Sequence, residues 1–118
     1  MTLGENMNNY TFKTETKGNV TIIRLSGYID LSNSPILRKK LAEAIDTTTN
    51  ILIDLSEVTY MDSSGLATLV EAMQKLNKNK GSLKISGLTG EVKNIFEIAR
   101  LNDVFSIYED IQSATSSF

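Results

Sequence analysis

Cysteine and histidine are both missing from this 118-residue chain, and the two absences remove most of the common catalytic and metal-binding chemistry. Without cysteine there is no disulfide framework, no thiol nucleophile and no thiolate metal site. Without histidine there is no Ser-His-Asp triad, no imidazole base and no His-ligated zinc. Excess positive charge is lacking too: 12 Lys and Arg stand against 14 Asp and Glu, for a net charge of −2 and a pI near 5.1. A phosphate backbone needs a concentrated basic surface, so direct nucleic-acid binding is not expected. No apolar run approaches the ~20 residues of a membrane-spanning helix, so membrane insertion is not expected either. The first nine residues carry no basic flank or apolar block of the secretory kind, which makes a cytoplasmic location the default expectation. Phosphate-loop signatures of the G-x-x-x-x-G-K-[ST] or G-x-G-x-x-G type are absent. Acid–base chemistry on Asp, Glu, Lys or Tyr stays open.

What is present is ordinary globular material, with 41% hydrophobic and 22% charged residues and a length that suits one domain. Residues 1–9 are polar and Asn-rich and read as a flexible extension. Tyr10-Thr-Phe-Lys-Thr-Glu-Thr16 alternates at period two, Lys17-Gly18-Asn19 is turn chemistry, and Val20 to Ser26 is β-branched, which predicts an N-terminal hairpin. Gly27 to Ser34 leads into a helix with Ser34 as N-cap and Pro35 at the first helical position. Leu37, Leu41, Ala44 and Ile45 give that helix one apolar stripe.

Ile51-Leu-Ile-Asp-Leu55 is a nearly continuous apolar strand, the pattern of a central strand covered on both faces. After a loop, Leu66, Leu69, Val70, Met73 and Leu76 mark a second helix, closed by lysines and a stop at Gly81. Ser82–Ser86 is a further strand, and Val92, Ile95, Phe96 and Ala99 give a third helical stripe. Leu101–Tyr108 reads as a loop and a short strand, Glu109–Ala114 as a terminal helix, and 115–118 as a loose tail. The order β-β-α-β-α-β-α-β-α implies an α/β fold: one mixed, mostly parallel sheet of about five strands, with about four helices packed on it.

The most informative stretch runs from Asn50 to Leu66, where strand, loop and helix meet at Asp62-Ser63-Ser64-Gly65. A helix N-terminus offers unpaired N–H groups and partial positive charge, so it suits either a capping side chain or an added phosphate. Asp62 or Ser63 can be the cap; Ser63 and Ser64 can also be phosphate acceptors. Asp30 follows Gly27-Tyr28-Ile29 at the end of the second strand. If the second and third strands are neighbours, it lies at the same edge as Asp62 and Ser63, as a turn aspartate or as part of an acidic rim. Asp54, inside an apolar strand, reads as a hydrogen-bonded structural residue. The spacing of these three aspartates singles out no metal site, and no cofactor is implied.

With this order of elements, and with Ile51-Leu-Ile-Asp-Leu-Ser-Glu-Val-Thr-Tyr-Met-Asp-Ser-Ser-Gly-Leu66 and Gly27-Tyr28-Ile29-Asp30, residues 10–114 resemble the STAS domain family. More narrowly they resemble the free-standing bacterial anti-sigma factor antagonists. The resemblance implies a protein that is not an enzyme and works by partner switching. Ser63 would be phosphorylated by an ATP-dependent serine kinase that is also the anti-sigma factor. The unphosphorylated form would bind that kinase and free the sigma factor, and a PP2C-type phosphatase would restore it. By the same resemblance, Asp30 and Asp62 would border the site, and Ser64, Gly65 and Leu66 would supply contact surface. Two other readings stand beside this one: a STAS subunit of a transport system that binds its partner constitutively, and a small enzyme using Asp30, Asp54 or Asp62.

Overall fold

The computed structural model describes residues 10–118. The nine-residue extension expected before them lies outside the described residues. The chain opens as the predicted hairpin, with β1 (Tyr10–Lys17) antiparallel to β2 (Val20–Ile29) and Gly18-Asn19 at the turn. There follow α1 (Ser34–Ile45), β3 (Asn50–Met61), α2 (Ser63–Lys78), β4 (Ser82–Ser86) and α3 (Gly90–Ile98). A short 3-10 turn at Leu101–Asp103, β5 (Ser106–Tyr108) and α4 (Ile111–Ser116) complete it. The strands form one five-stranded sheet in the order β1-β2-β3-β4-β5, with every pair after the first parallel. This is the mixed, mostly parallel sheet that the alternation of elements implied.

Period-two alternation divides the sheet's side chains between two cores. Ile23 and Leu25 of β2, and Ile51, Ile53 and Leu55 of β3, face α1, α2 and α3, which contribute Leu37, Leu41, Leu69, Leu76, Val92 and Phe96. The opposite face carries a smaller cluster of Val20, Ile22 and Leu52, covered by Ala114 and Ile111 of α4 with Tyr108 and Phe118. Ile51 to Leu55 are therefore buried on both sides. Of residues 115–118, expected to be loose, Thr115 and Ser116 instead belong to α4, and Phe118 packs on this second core. Lys84 reinforces that end: its Nζ donates to the Ser117 carbonyl and hydroxyl, both at 2.8 Å, and lies 4.6 Å from the Phe118 ring centroid.

Three local expectations are corrected. First, β3 does not stop at Leu55 but runs to Met61, because Val58 and Met61 still reach the main core from among polar neighbours. Gly27–Ile29 likewise remain in β2, at a bulge where Gly27 takes φ +80°, so the turn begins only at Asp30. Second, the residue capping α1 is Asn33, not Ser34, and its side chain turns backward to accept from the Asp30 N–H and donate to the Tyr28 carbonyl. Third, Gly81 is not the left-handed stop of α2. Lys80 takes that conformation at φ +62°, whereas a Cβ on Gly81 would come within 2.4 Å of the Thr49 carbonyl oxygen. Glycine is required there by the close approach of backbone to backbone.

Candidate functional site

Parallel pairing of β2 with β3 fixes the site. Ile29 and Met61 are register partners at the end of the two strands, and the Asp62 N–H donates to the Ile29 carbonyl at 3.0 Å. The next residue on each strand is an aspartate, so Asp30 and Asp62 leave the sheet side by side. The juxtaposition expected from neighbouring strands is present.

Asp30 organises a tight turn into α1. Its Oδ1 accepts from the Ser32 N–H at 2.9 Å and the Ser32 hydroxyl at 2.5 Å. Its carbonyl accepts from the N–H groups of Asn33 and Ser34. These bonds make it the turn aspartate of one reading, while its place beside Asp62 leaves it on the acidic rim of the other.

Asp62 caps α2 from extended backbone at φ −96° and ψ −175°. Its Oδ1 accepts from the Ser64 N–H at 2.9 Å, the Ser64 hydroxyl at 2.5 Å and the Gly65 N–H at 3.3 Å. Partial burial pushes this carboxyl up, but the hydrogen bonds from Ser64 and Gly65, with a further contribution from the Leu31 N–H, outweigh it and hold it below the ordinary aspartate value. The two serines, equivalent in sequence, are thus unequal in structure. The Ser64 hydroxyl is spent on Asp62. Ser63, the first residue of the helix, is exposed, and its hydroxyl has no hydrogen-bond partner among the described residues.

Gly65 is buried beneath this turn, and a Cβ on it would lie 2.7 Å from Met61 Cγ and 2.9 Å from Ile29 Cγ2. Glycine therefore lets the first turn of α2 sit directly on the ends of β2 and β3. It is buried and offers little surface of its own. Leu66 is half-buried against the main core, and Ser64 is half-buried as well.

Toward the same end of β2 and β3, Tyr28, Asp30, Thr59, Tyr60 and Glu91 line an open concavity of about 710 Å³. Tyr28 and Tyr60 are register partners on adjacent strands, their rings edge-on at 6.1 Å. The sequence reading passed over both; their matched places, one residue before Ile29 and Met61, were the available signal. Asp54 does not join this group. It lies on β3, eight residues before Asp62 and thus roughly 26 Å along an extended strand. Only 5% exposed, it accepts from Ser56 Oγ at 2.7 Å and Ser86 Oγ at 2.9 Å. That is the hydrogen-bonded structural role expected of it. Among the described residues no cluster of three or more acidic side chains is arranged to hold a metal ion, and no helix is long and apolar enough to cross a membrane.

A two-strand edge thus delivers an acidic N-cap and an exposed serine to the start of a helix, on a β-β-α-β-α-β-α-β-α frame. The family model of the STAS domain matches residues 11–114, and the chain belongs to that family. An anti-sigma-B factor antagonist of Bacillus subtilis is 34% identical over 85 residues, which cover 72% of this chain and 78% of that protein. Among solved structures, an anti-sigma factor antagonist from Mycobacterium paratuberculosis superposes with a TM-score of 0.85 at 24% identity, over 92% of each chain. The Bacillus cell fate determinant SpoIIAA, solved in its phosphorylated form, gives a TM-score of 0.73 at 22% identity, over 91% of this chain and 98% of that one. At these identities the structural likenesses bear on the fold.

Proposed function

We propose that this chain is a cytoplasmic anti-sigma factor antagonist that acts by partner switching, with Ser63 as the phosphate acceptor. The unphosphorylated form binds an ATP-dependent serine kinase that is also the anti-sigma factor, and so frees the sigma factor. Phosphorylation of Ser63 abolishes binding, and a PP2C-type phosphatase reverses it. One observation carries the choice of acceptor: Ser63 presents an unengaged, exposed hydroxyl, while the hydroxyl of Ser64 is held by Asp62. The name of the Bacillus subtilis relative supports the class of function, and the phosphorylated state of SpoIIAA supports the chemistry.

The electrostatics account for the switch. A phosphoserine adds roughly −1.5 to −2 charges. At Ser63 these would lie beside Asp62, whose charged form the hydrogen bonds from Ser64 and Gly65 favour, and near Asp30. A partner surface fitted to the uncharged serine would have to desolvate that dianion and accept its field, which costs affinity.

The test is incubation of the chain with a purified kinase of the anti-sigma type and ATP, followed by mapping of the phosphate. Label at Ser63, loss of label in Ser63→Ala with binding retained, and weakened binding by Ser63→Asp are the expected results. Label on Ser64 would overturn the site assignment. Affinity capture of the native partner that recovers only transporter subunits, with no phosphate on the chain, would instead favour a constitutive subunit of a transport system.

A further inference from the structure

Six large apolar side chains are exposed among the described residues, and four of them lie at or just after the ends of β2 and β3: Tyr28 and Tyr60 in the strands, Leu31 in the turn after β2 and Ile36 in the first turn of α1. Leu31 is the most exposed of the four at 74%, in a turn of the chain that is anything but slack. Asp30 and Asn33 hydrogen-bond it on both sides, and the Leu31 N–H faces the Asp62 carboxylate that caps α2. A leucine on a braced turn, with its side chain in water, gives up little conformational freedom when it is later covered. Tyr28 at 51% and Tyr60 at 40% exposed are aromatic side chains with only two rotatable bonds each, the type enriched in binding hot spots. The concavity between them also holds Asp30 and Glu91, and none of its lining residues is basic.

We infer that Leu31, Tyr28 and Tyr60 are the anchor residues of the docking surface around Ser63, and that the partner which covers them presents an apolar ridge edged by lysine or arginine. The inference rests on the partner-switching reading and adds to it which side chains hold the partner and what they meet. Charge complementarity selects that partner: two carboxylates among apolar walls would repel an acidic surface and would be left unpaired by a purely apolar one. The arrangement also bears on regulation. Apolar contacts exclude water from the interface, so a phosphate on Ser63 would have to be desolvated in surroundings that cannot solvate it, which sharpens the off state.

The probe is the purified serine kinase of the anti-sigma type, from the organism that supplies this chain, that labels the wild-type chain at Ser63. Its affinity is measured by calorimetry for unphosphorylated wild type, Leu31→Ser, Tyr60→Ser and Ile98→Ser. The last removes an 83%-exposed isoleucine at the end of α3 and serves as the control. Leu31→Ser and Tyr60→Ser should each weaken Kd about tenfold, with Ile98→Ser unchanged. Wild type, Leu31→Ser and Ile98→Ser should melt alike, because the Leu31 and Ile98 side chains stand largely in solvent, whereas Tyr60→Ser also gives up the ring contact with Tyr28 and is compared below its own melting transition. Association should also slow as salt is raised. Affinities for Leu31→Ser and Tyr60→Ser within about twofold of wild type, with Ser63 still labelled, would overturn this inference while leaving partner switching intact; an association rate indifferent to salt would overturn its basic-edge component. If no kinase of that type labels Ser63, the underlying reading fails and this one fails with it.

Discussion

Asp62 holds Ser64 by two bonds to one carboxylate oxygen, from the backbone N–H at 2.9 Å and from the hydroxyl at 2.5 Å. That pairing separates two serines that the sequence alone presents as equals. It also gives Asp62 two structural effects, starting the helix and leaving the exposed Ser63 hydroxyl unengaged among the described residues.

Removing the cap should be measurable without any partner. Asp62→Ala should lower stability by about 1 kcal/mol in urea unfolding, the usual value of an N-cap. Asp62→Asn should keep most of the capping and lose the titration. Because the folded-state carboxyl lies below its ordinary value of 3.8, its ionisation contributes stability in full above that pH. The contribution is lost as pH falls through 3.8 and then through the lower folded value. The stability difference between wild type and Asp62→Asn should therefore be flat from pH 5 to 7 and shrink toward pH 3; a difference that grew on acidification would contradict the hydrogen-bonding scheme.

Gly65→Ala should destabilise by about 1 kcal/mol. Overpacking against Met61 and Ile29 costs about 1–3 kcal/mol, and the better helix propensity of alanine returns up to about 1. Shortening the obstructing side chain in a Gly65→Ala, Met61→Ala double variant should give less than the summed losses, by denaturant midpoint.

Asp54→Ala should destabilise by about 2 kcal/mol, since it strands the fully buried Ser86 hydroxyl without an acceptor. Ser56 is exposed and can turn to water. Adding Ser86→Ala should recover part of the loss, and a double-mutant cycle reads the coupling directly. Phosphorylation at Ser63 should proceed as in wild type, which keeps this acid apart from the site.

Lys80→Gly should raise stability by about 1 kcal/mol, because a left-handed φ of +62° costs a lysine what it does not cost glycine. For a chain of this size that corresponds to a rise in Tm of about 4 °C. No rise at all would mean that the Lys80 side chain makes compensating contacts.

The element order, the hairpin and the double burial of Ile51 to Leu55 were all readable from periodicity, because hydrophobic spacing is set by the geometry of strands and helices. Errors arose where a few polar letters hid a continuing element. Ser56, Glu57 and Thr59 made the second half of β3 look like a loop, although Val58 and Met61 still face the core. Caps were legible as a class and not as individuals: Asn33 displaced Ser34, and Lys80 took the conformation expected of a glycine. Ser63 could be proposed as an acceptor only through family resemblance, since the engagement of Ser64 depends on side-chain orientation that spacing cannot encode. Tyr28, Leu31 and Tyr60 were missed because exposure at a sheet's end is a property of topology.

The strand order has a further consequence. In doubly wound sheets the order of strands reverses at some point, helices diverge to opposite faces there, and small ligands settle in the cleft that opens. This sheet runs β1 to β5 without reversal, and its three crossover helices all lie on one side. No cleft of that kind can form at the carboxyl ends of its parallel strands. What the topology leaves at that end is an open rim, on which Asp30 and Asp62 stand side by side.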